Sequence, residues 1–192
     1  LSHVSLPTRL KILQTFSSEL TLVGLAQMDD VYFEAFPGEP SRQEIERLYR
    51  YKTARYTFSL PLTAGAVLAE APEPILSDLS EIGENMGILF QITDDEIEIF
   101  QPEEQTGKSA GSDISRNKKT LLRHALYQAC SADEKKRLNQ IFGSKKLKPG
   151  DLEEIQKTLD KKGILFEIAD HKKELIRETE ILIRNLKIET RQ

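Results

Sequence analysis

The amino-acid sequence predicts an all-α protein, folded as one domain over residues 1–192. Apolar residues recur at three- and four-residue steps through most of the chain, which is the period of an α-helix. No segment alternates β-branched with polar residues between turns, so β-strands are not required. With 39% apolar and 30% charged residues among 192, the chain has a globular composition and can bury a substantial core.

The first predicted helix covers residues 5–36 and carries Pro7 in its first turn, where a missing N–H does no harm. The apolar positions of this helix include Leu10, Leu13, Phe16 and Leu20. A second helix follows, and it opens with a predicted capping box of Ser41 and Glu44. We expect it to bend or stop shortly before Pro61, because proline has no N–H to donate within a helix.

A third helix is predicted over about residues 75–100, with an apolar side formed by Leu76, Leu79, Ile82, Met86, Phe90 and Ile97. A polar loop that contains glycines is predicted at 101–117. Further helices are expected over about 131–143, 151–162 and 165–186. Ser131 and Glu134 form a second capping box at the start of the first of these, and Gly163 separates the last two.

Charge and cysteine content exclude several classes of protein. The formal net charge of −4 argues against general nucleic-acid binding, for which a basic surface is expected. No run approaches the ~20 apolar residues of a membrane span, and no signal peptide is predicted. The single cysteine, Cys130, excludes an intrachain disulfide and a cysteine-based zinc site. We therefore expect a soluble, cytoplasmic protein and, because the chain begins with Leu1 rather than Met, a portion of a longer one.

A group of polar residues near the end of the third helix shares one helix face, at positions i, i+3, i+4 and i+7: Gln91, Asp94, Asp95 and Glu98. Like charges at this spacing repel, and a hard divalent cation removes the repulsion. Carboxylate oxygens suit Mg²⁺, which often bridges to substrate phosphates. The alternative is a solvated acidic face. We expect Phe90 and Ile97 to hold this helix in the core, which favours the metal site.

Cations follow the acidic helix at Lys108 and Lys118, among glycines that let a backbone approach a ligand closely. Lysine binds phosphate as a flexible point charge, so metal and lysines together suit a diphosphate. The alternative is a solvated loop, and the P-loop pattern is absent. Polar residues further upstream fit the same chemistry, although each alone is typical of a surface: Gln27, Asp30, Lys52 and Thr53.

From about residue 10 to 125 the sequence resembles the trans-prenyl diphosphate synthases, such as farnesyl and geranylgeranyl diphosphate synthases. The resemblance rests on short motifs in the family's order: Ala26-Gln27-x-x-Asp30, Tyr51-Lys52-Thr53-Ala54, Gly65-Ala66, Phe90-Gln91-Ile92-x-Asp94-Asp95, Thr106-Gly107-Lys108, Ser112-Asp113-Ile114 and Asn117-Lys118-Lys119-Thr120. The residues beyond are similar to the family in helix content only.

The resemblance implies an isoprenoid-synthase-like helical bundle around a central cavity, acting as a homodimer. It implies Mg²⁺-dependent ionisation of an allylic diphosphate and condensation with isopentenyl diphosphate, giving a geranylgeranyl or farnesyl product. The metal ligands implied are Asp94, Asp95 and Glu98. The implied catalytic residues are Lys52, Thr53, Gln91 and Lys108, and the substrate-binding residues are Lys52, Gln91, Lys108, Lys118, Gln27 and Asp30.

The chain departs from the family pattern at Glu98, which stands in place of aspartate, and at Ala26, in place of the usual glycine. It also contains no Asp-Asp-x-x-Asp motif, which family members carry in a longer N-terminal half. We therefore expect the C-terminal part of a synthase. The alternatives are a non-catalytic synthase-like subunit that binds a partner and a helical metal-binding scaffold. A terpene cyclase fits less well, because the Lys-Thr and Gly-Lys features favour chain elongation.

Overall fold

A computed structural model describes residues 4–101 and 111–186. The described residues form helices joined by turns and short loops, with no β-strand among them. The helices are α1 (Leu6–Ala35), α2 (Arg42–Tyr49), a π-helix (Arg50–Ser59), α3 (Leu60–Leu68), α4 (Glu73–Phe100), α5 (Ser112–Ser115), α6 (Leu121–Ala129), α7 (Ala132–Ile141), α8 (Asp151–Lys161) and α9 (Ile164–Asn185). The all-α prediction is confirmed.

The described residues group into two compact units. The first unit takes the described parts of Leu1–Met28, Arg47–Gln91 and Lys173–Gln192. The second takes those of Asp29–Glu46 and Ile92–Lys172. A single domain over 1–192 stays a prediction.

Both predicted capping boxes form. The Ser41 N–H donates to Glu44 Oε2 at 2.7 Å, and the Ser131 N–H donates to Glu134 Oε2 at 2.7 Å. Each serine Oγ in turn accepts the backbone N–H of its glutamate. The local hydrogen bonds of a cap need no tertiary partner, which explains why the sequence predicts these helix starts well.

The helix that was expected to bend before Pro61 continues instead, and it changes there from a π-helix to an α-helix. A π-helix ends at Ser59 and α3 begins at Leu60, so Pro61 lies in the first turn of α3, where proline is tolerated. Two other elements differ from the prediction: α5 lies in the segment expected to be a loop, and α6 was not expected. Both are too short to show a clear helical period, although Thr120 caps α6 by accepting the Arg123 N–H at 3.2 Å.

The predicted core side of α4 is wrong in part. Met86 and Phe90 are 42% and 52% exposed, whereas Asp95 and Glu98 are only 2% and 6% exposed. The buried face of α4 includes Gly83, Gly87 and these two acids. A search for hydrophobic residues at helical spacing does not assign glycines or acids to the core. The alternative of a solvated acidic face is therefore also wrong for Asp95 and Glu98.

On α1 the first part of the predicted apolar stripe is exposed, whereas Ala26 at its end is buried. Within the first unit, Leu10, Leu13, Phe16 and Leu20 are 50%, 66%, 40% and 54% exposed. A contiguous apolar surface of this kind marks a place where another surface packs. None of the described helices is long and apolar enough to cross a membrane.

The capping box of α7 makes the stability of the second unit depend on pH. Hydrogen bonds from Ser131 and Lys162 lower the pKa of Glu134 from 4.5 to about 2. A carboxyl whose pKa falls on folding stabilises the protein above its unfolded pKa, and that contribution is lost as pH falls towards about 2. We therefore expect Glu134→Gln to lower the thermal midpoint at about pH 7 and to match the wild type at about pH 2. Equal destabilisation at both pH values would contradict this prediction.

Candidate functional site

Two acids of α4 are buried in the second unit. Asp95 is 2% exposed, and Glu98, 6% exposed, accepts a hydrogen bond from the Ser112 hydroxyl at 2.8 Å. Asp94 is half-buried. A buried carboxylate is costly unless charges or hydrogen bonds compensate it. The hydrogen bond from Ser112, at the start of α5, compensates part of the cost of burying the Glu98 carboxylate.

Lys118 supplies positive charge beside Asp95. Its Nζ lies 3.0 Å from Asp113 Oδ2, and Asp95, Asp113 and Lys118 line the same small pocket of about 10 Å³. That volume has room for about one water molecule. Burial alone would lower the pKa of Lys118, but the attraction of Asp95, Asp113 and the buried Asp30 outweighs it and raises the pKa. Lys118 is therefore a permanent cation among acids.

The backbone before Lys118 is held by a buried arginine. Asn117 has a left-handed φ of 63°, and its side chain donates to the Glu34 carbonyl at 2.8 Å and accepts from Arg123 Nη1 at 2.6 Å. Arg123 is 4% exposed, and its Nη2 donates to Glu39 Oε1 at 2.7 Å. Its guanidinium also stacks over two rings, 4.9 Å from that of Tyr127 and 4.3 Å from that of Phe142.

In the first unit, Thr53 and Gln91 are brought together. The Thr53 hydroxyl donates to Gln91 Oε1 at 2.9 Å, between the π-helix and α4. Lys52 precedes Thr53 in the π-helix and is half-buried, whereas Gln27 on α1 is exposed. Lys108 lies outside the described residues.

Several residues of this region were missed by sequence reasoning as functional candidates. Asp113 and Ser112 belong to a motif noted above, yet no role followed from it. Arg123 and Glu39 gave no signal, because Glu39 lies between prolines in a segment that only suggests a helix end. The pairing of Glu39 with Arg123 depends on packing between segments that are distant in the sequence, so no local pattern indicates it.

A model of the polyprenyl synthetase family matches residues 1–159 of this chain. The chain belongs to the polyprenyl synthetase family. A geranylgeranyl diphosphate synthase of Saccharolobus solfataricus is 31% identical over 156 residues, which is 81% of this chain and 46% of that protein. A farnesyl diphosphate synthase of Bacillus subtilis is 32% identical over 62% of this chain and 40% of its own length. This chain thus spans less than half the length of these relatives.

Solved structures of the family have the same fold. A geranylgeranyl pyrophosphate synthase from Corynebacterium glutamicum, complexed with isoprenyl diphosphate and magnesium, superposes with a TM-score of 0.88 at 26% identity, covering 98% of this chain and 53% of that one. One from Pyrococcus horikoshii gives a TM-score of 0.84 at 25% identity, covering 97% and 56%. The predicted isoprenoid-synthase fold is confirmed for this chain.

Proposed function

We propose that this chain provides the allylic diphosphate side of a prenyl diphosphate synthase, which condenses an allylic diphosphate with isopentenyl diphosphate to a farnesyl or geranylgeranyl product. The observation that carries the proposal is the grouping of the buried Asp95 with the half-buried ion pair of Asp113 and Lys118. A bound diphosphate requires carboxylates that hold a metal ion and a cation that binds phosphate.

Mg²⁺ would be held by Asp94, Asp95 and Glu98, and it would supply Lewis-acid neutralisation of the leaving diphosphate. The donors fit this ion, since they are carboxylate oxygens largely withdrawn from water. Among residues 4–101 and 111–186, no three His, Cys, Asp or Glu residues are grouped closely enough to hold a metal ion. These three carboxylates are thus not grouped as a metal-ligand set in the described residues, and the assignment rests on their chemistry, because Mg²⁺ uses carboxylates together with water and substrate phosphate.

The lysines would bind the diphosphate and stabilise its charge as the allylic C–O bond breaks and the electron pair leaves with the diphosphate. Lys52, Lys108 and Lys118 are the residues proposed for this role. Electrons of the isopentenyl double bond then form the new C–C bond, and loss of one proton restores a double bond. Thr53 and Gln91 would line the place where positive charge develops, and Gln27 and Asp30 would contribute to substrate binding.

The exposed apolar face of α1 supports a further proposal, that the protein is a homodimer. Leu10, Leu13 and Leu20 would be buried by the second copy, and burial of apolar area is the main driving force of such association. We propose a cytoplasmic location and one domain over 1–192 as parts of the same assignment.

A second candidate function is a subunit that needs a partner synthase. One observation favours it: the chain is 41% identical over 83 residues to a Geobacillus stearothermophilus protein named heptaprenyl diphosphate synthase component 2. That match covers 43% of this chain and 25% of that protein. The name describes one component of a synthase.

A prenyl-transfer assay separates the two candidates. Radiolabelled isopentenyl diphosphate and allylic primers are supplied to the 192-residue chain and to the same chain joined to the N-terminal half of a family member. We expect little or no turnover by the 192 residues alone, because they lack the first aspartate-rich motif, and turnover by the joined protein. Turnover by the short chain would contradict the expected incompleteness, and an inactive but folded joined protein would favour the partner-binding subunit.

Lys52 provides a direct test of diphosphate binding. An ammonium that meets a phosphate makes a charge-assisted hydrogen bond, so we expect Lys52→Met to weaken inorganic diphosphate binding about tenfold with Mg²⁺ present. We expect Lys108→Met to have a larger effect. Lys136→Met is the matched control, because Lys136 is 76% exposed and pairs only with its helical neighbour Asp133 among the ion pairs described. Unchanged calorimetric affinity in both variants would show that these lysines do not bind the ligand.

A further inference from the structure

The π-helix and α4 approach each other unusually closely within the first unit, at two glycines. A Cβ added to Gly87 would lie 2.3 Å from the Cα of Ala54, and one added to Gly83 would lie 2.4 Å from the Cα of Ser59. Carbon atoms make favourable contact only at about 3.5–4.0 Å. The two backbones can therefore pack at this distance only because neither glycine has a side chain.

This close contact continues directly into the Thr53–Gln91 hydrogen bond. Gly83, Gly87 and Gln91 follow one another at four-residue steps, which places them along one face of α4. The fully buried Ala54 that touches Gly87 is the next residue after Thr53. The contact at Gly87 and the 2.9 Å hydrogen bond from Thr53 Oγ1 to Gln91 Oε1 are thus one residue apart on the π-helix and four residues apart on α4.

We propose that Gly87 is a positioning residue, which acts through Ala54 to hold the side-chain oxygens of Thr53 and Gln91 in register. The inference rests on the proposed function, in which these two oxygens face the developing positive charge. The Thr53 hydroxyl proton is directed at Gln91, so the lone pairs of Thr53 remain available to a cation. Preorganised dipoles stabilise charge only while they are held in place, and a small displacement weakens them.

The chain supplies a matched control for this role. Gly83→Ala and Gly87→Ala introduce the same methyl group against backbone atoms at nearly the same distance. We expect both variants to lose a similar amount of stability. Only Gly87, however, contacts the residue next to Thr53, whereas Gly83 contacts the far end of the π-helix. Gly65→Ala controls for helix propensity, because nothing lies within 4 Å of the added Cβ.

The positioning is tested without ligand by NMR of the 192-residue chain. The side-chain amide resonances of Gln91 are assigned by their loss in Gln91→Met, and Thr53→Val defines the shift that follows from loss of the hydrogen bond. We expect Gly87→Ala to shift them in the direction of Thr53→Val, and Gly83→Ala to leave them in place. Equal shifts in both glycine variants, or no shift in either, would overturn the proposal.

The consequence for charge stabilisation is measured with two probes in the presence of Mg²⁺. One is an allylic diphosphate analogue with an ammonium nitrogen at the carbon that becomes cationic, and the other is inorganic diphosphate. We expect Gly87→Ala to weaken binding of the ammonium analogue about tenfold, with affinity for inorganic diphosphate unchanged. Gly83→Ala should leave the ratio of the two affinities as in the wild type.

A double-mutant cycle separates positioning from general loss of packing. If Gly87 acts through Thr53, adding Gly87→Ala to Thr53→Val causes no further loss of analogue binding. Additive losses would overturn the proposal. If the wild-type chain binds neither probe, the proposed function is wrong, and the Gln91 resonances still decide whether Gly87 positions Thr53.

Discussion

Replacing Asp95 with asparagine is expected to weaken Mg²⁺-dependent binding of a bisphosphonate about a hundredfold. The change keeps the shape of the side chain but removes a charged oxygen donor that is 2% exposed and lies in the same cavity as Lys118. We expect the wild-type chain to bind Mg²⁺ weakly by itself and tightly with the bisphosphonate, because carboxylates alone do not complete an octahedral site.

Calorimetry with Mg²⁺ alone and with Mg²⁺ plus bisphosphonate measures both expectations. The matched control is Asp78→Asn, which makes the same change in a half-buried position of α4, in the first unit. Asp94→Asn is expected to weaken binding as well, since Asp94 is proposed as a ligand of the same ion. If Asp95→Asn binds the bisphosphonate as tightly as the wild type, the metal does not bind at this helix.

Replacing Arg123 with methionine is expected to reduce the free energy of unfolding by about 3–5 kcal/mol. Arg123 is 4% exposed, and its guanidinium bonds both oxygens of Glu39, at 2.7 Å for the shortest contact. Without it, Glu39 keeps the buried Lys119 as its described partner, at 3.1 Å. Removal of one member of a buried ion pair leaves charge that is poorly compensated, which is why the expected loss is large.

Urea unfolding of the wild type, Arg123→Met and Arg116→Met measures this difference. Arg116 pairs with Glu34 at 2.8 Å but its side chain is 63% exposed, so its loss should cost only about 0–1 kcal/mol. We also expect Arg123→Met to weaken diphosphate binding, because Arg123 holds Asn117, the residue before Lys118. A loss below about 1 kcal/mol would mean that Glu39 is solvated or compensated in another way.

Much of the fold follows from local rules in the sequence. Helix starts at Ser41 and Ser131 are specified by hydrogen bonds within four residues, and the sequence predicts them well. The helical positions of Asp94, Asp95 and Glu98 follow from helix period alone. The short motifs likewise indicate the family, because each is a run of neighbouring residues. What these features share is that neighbours along the chain decide them.

The environment of each candidate side chain was decided by tertiary structure. Hydrophobic periodicity placed Phe90 in the core, but Gly83 and Gly87 let α4 pack through its backbone, and Phe90 is 52% exposed. The pairing of Arg123 with Glu39 joins residues 84 positions apart, and no local pattern specifies it. The sequence by itself determined the all-α class, the longer helices and the helical positions of the acids of α4. Only packing between distant segments decided which side chains are buried together, because burial and ion pairing depend on contacts that a one-dimensional pattern does not contain.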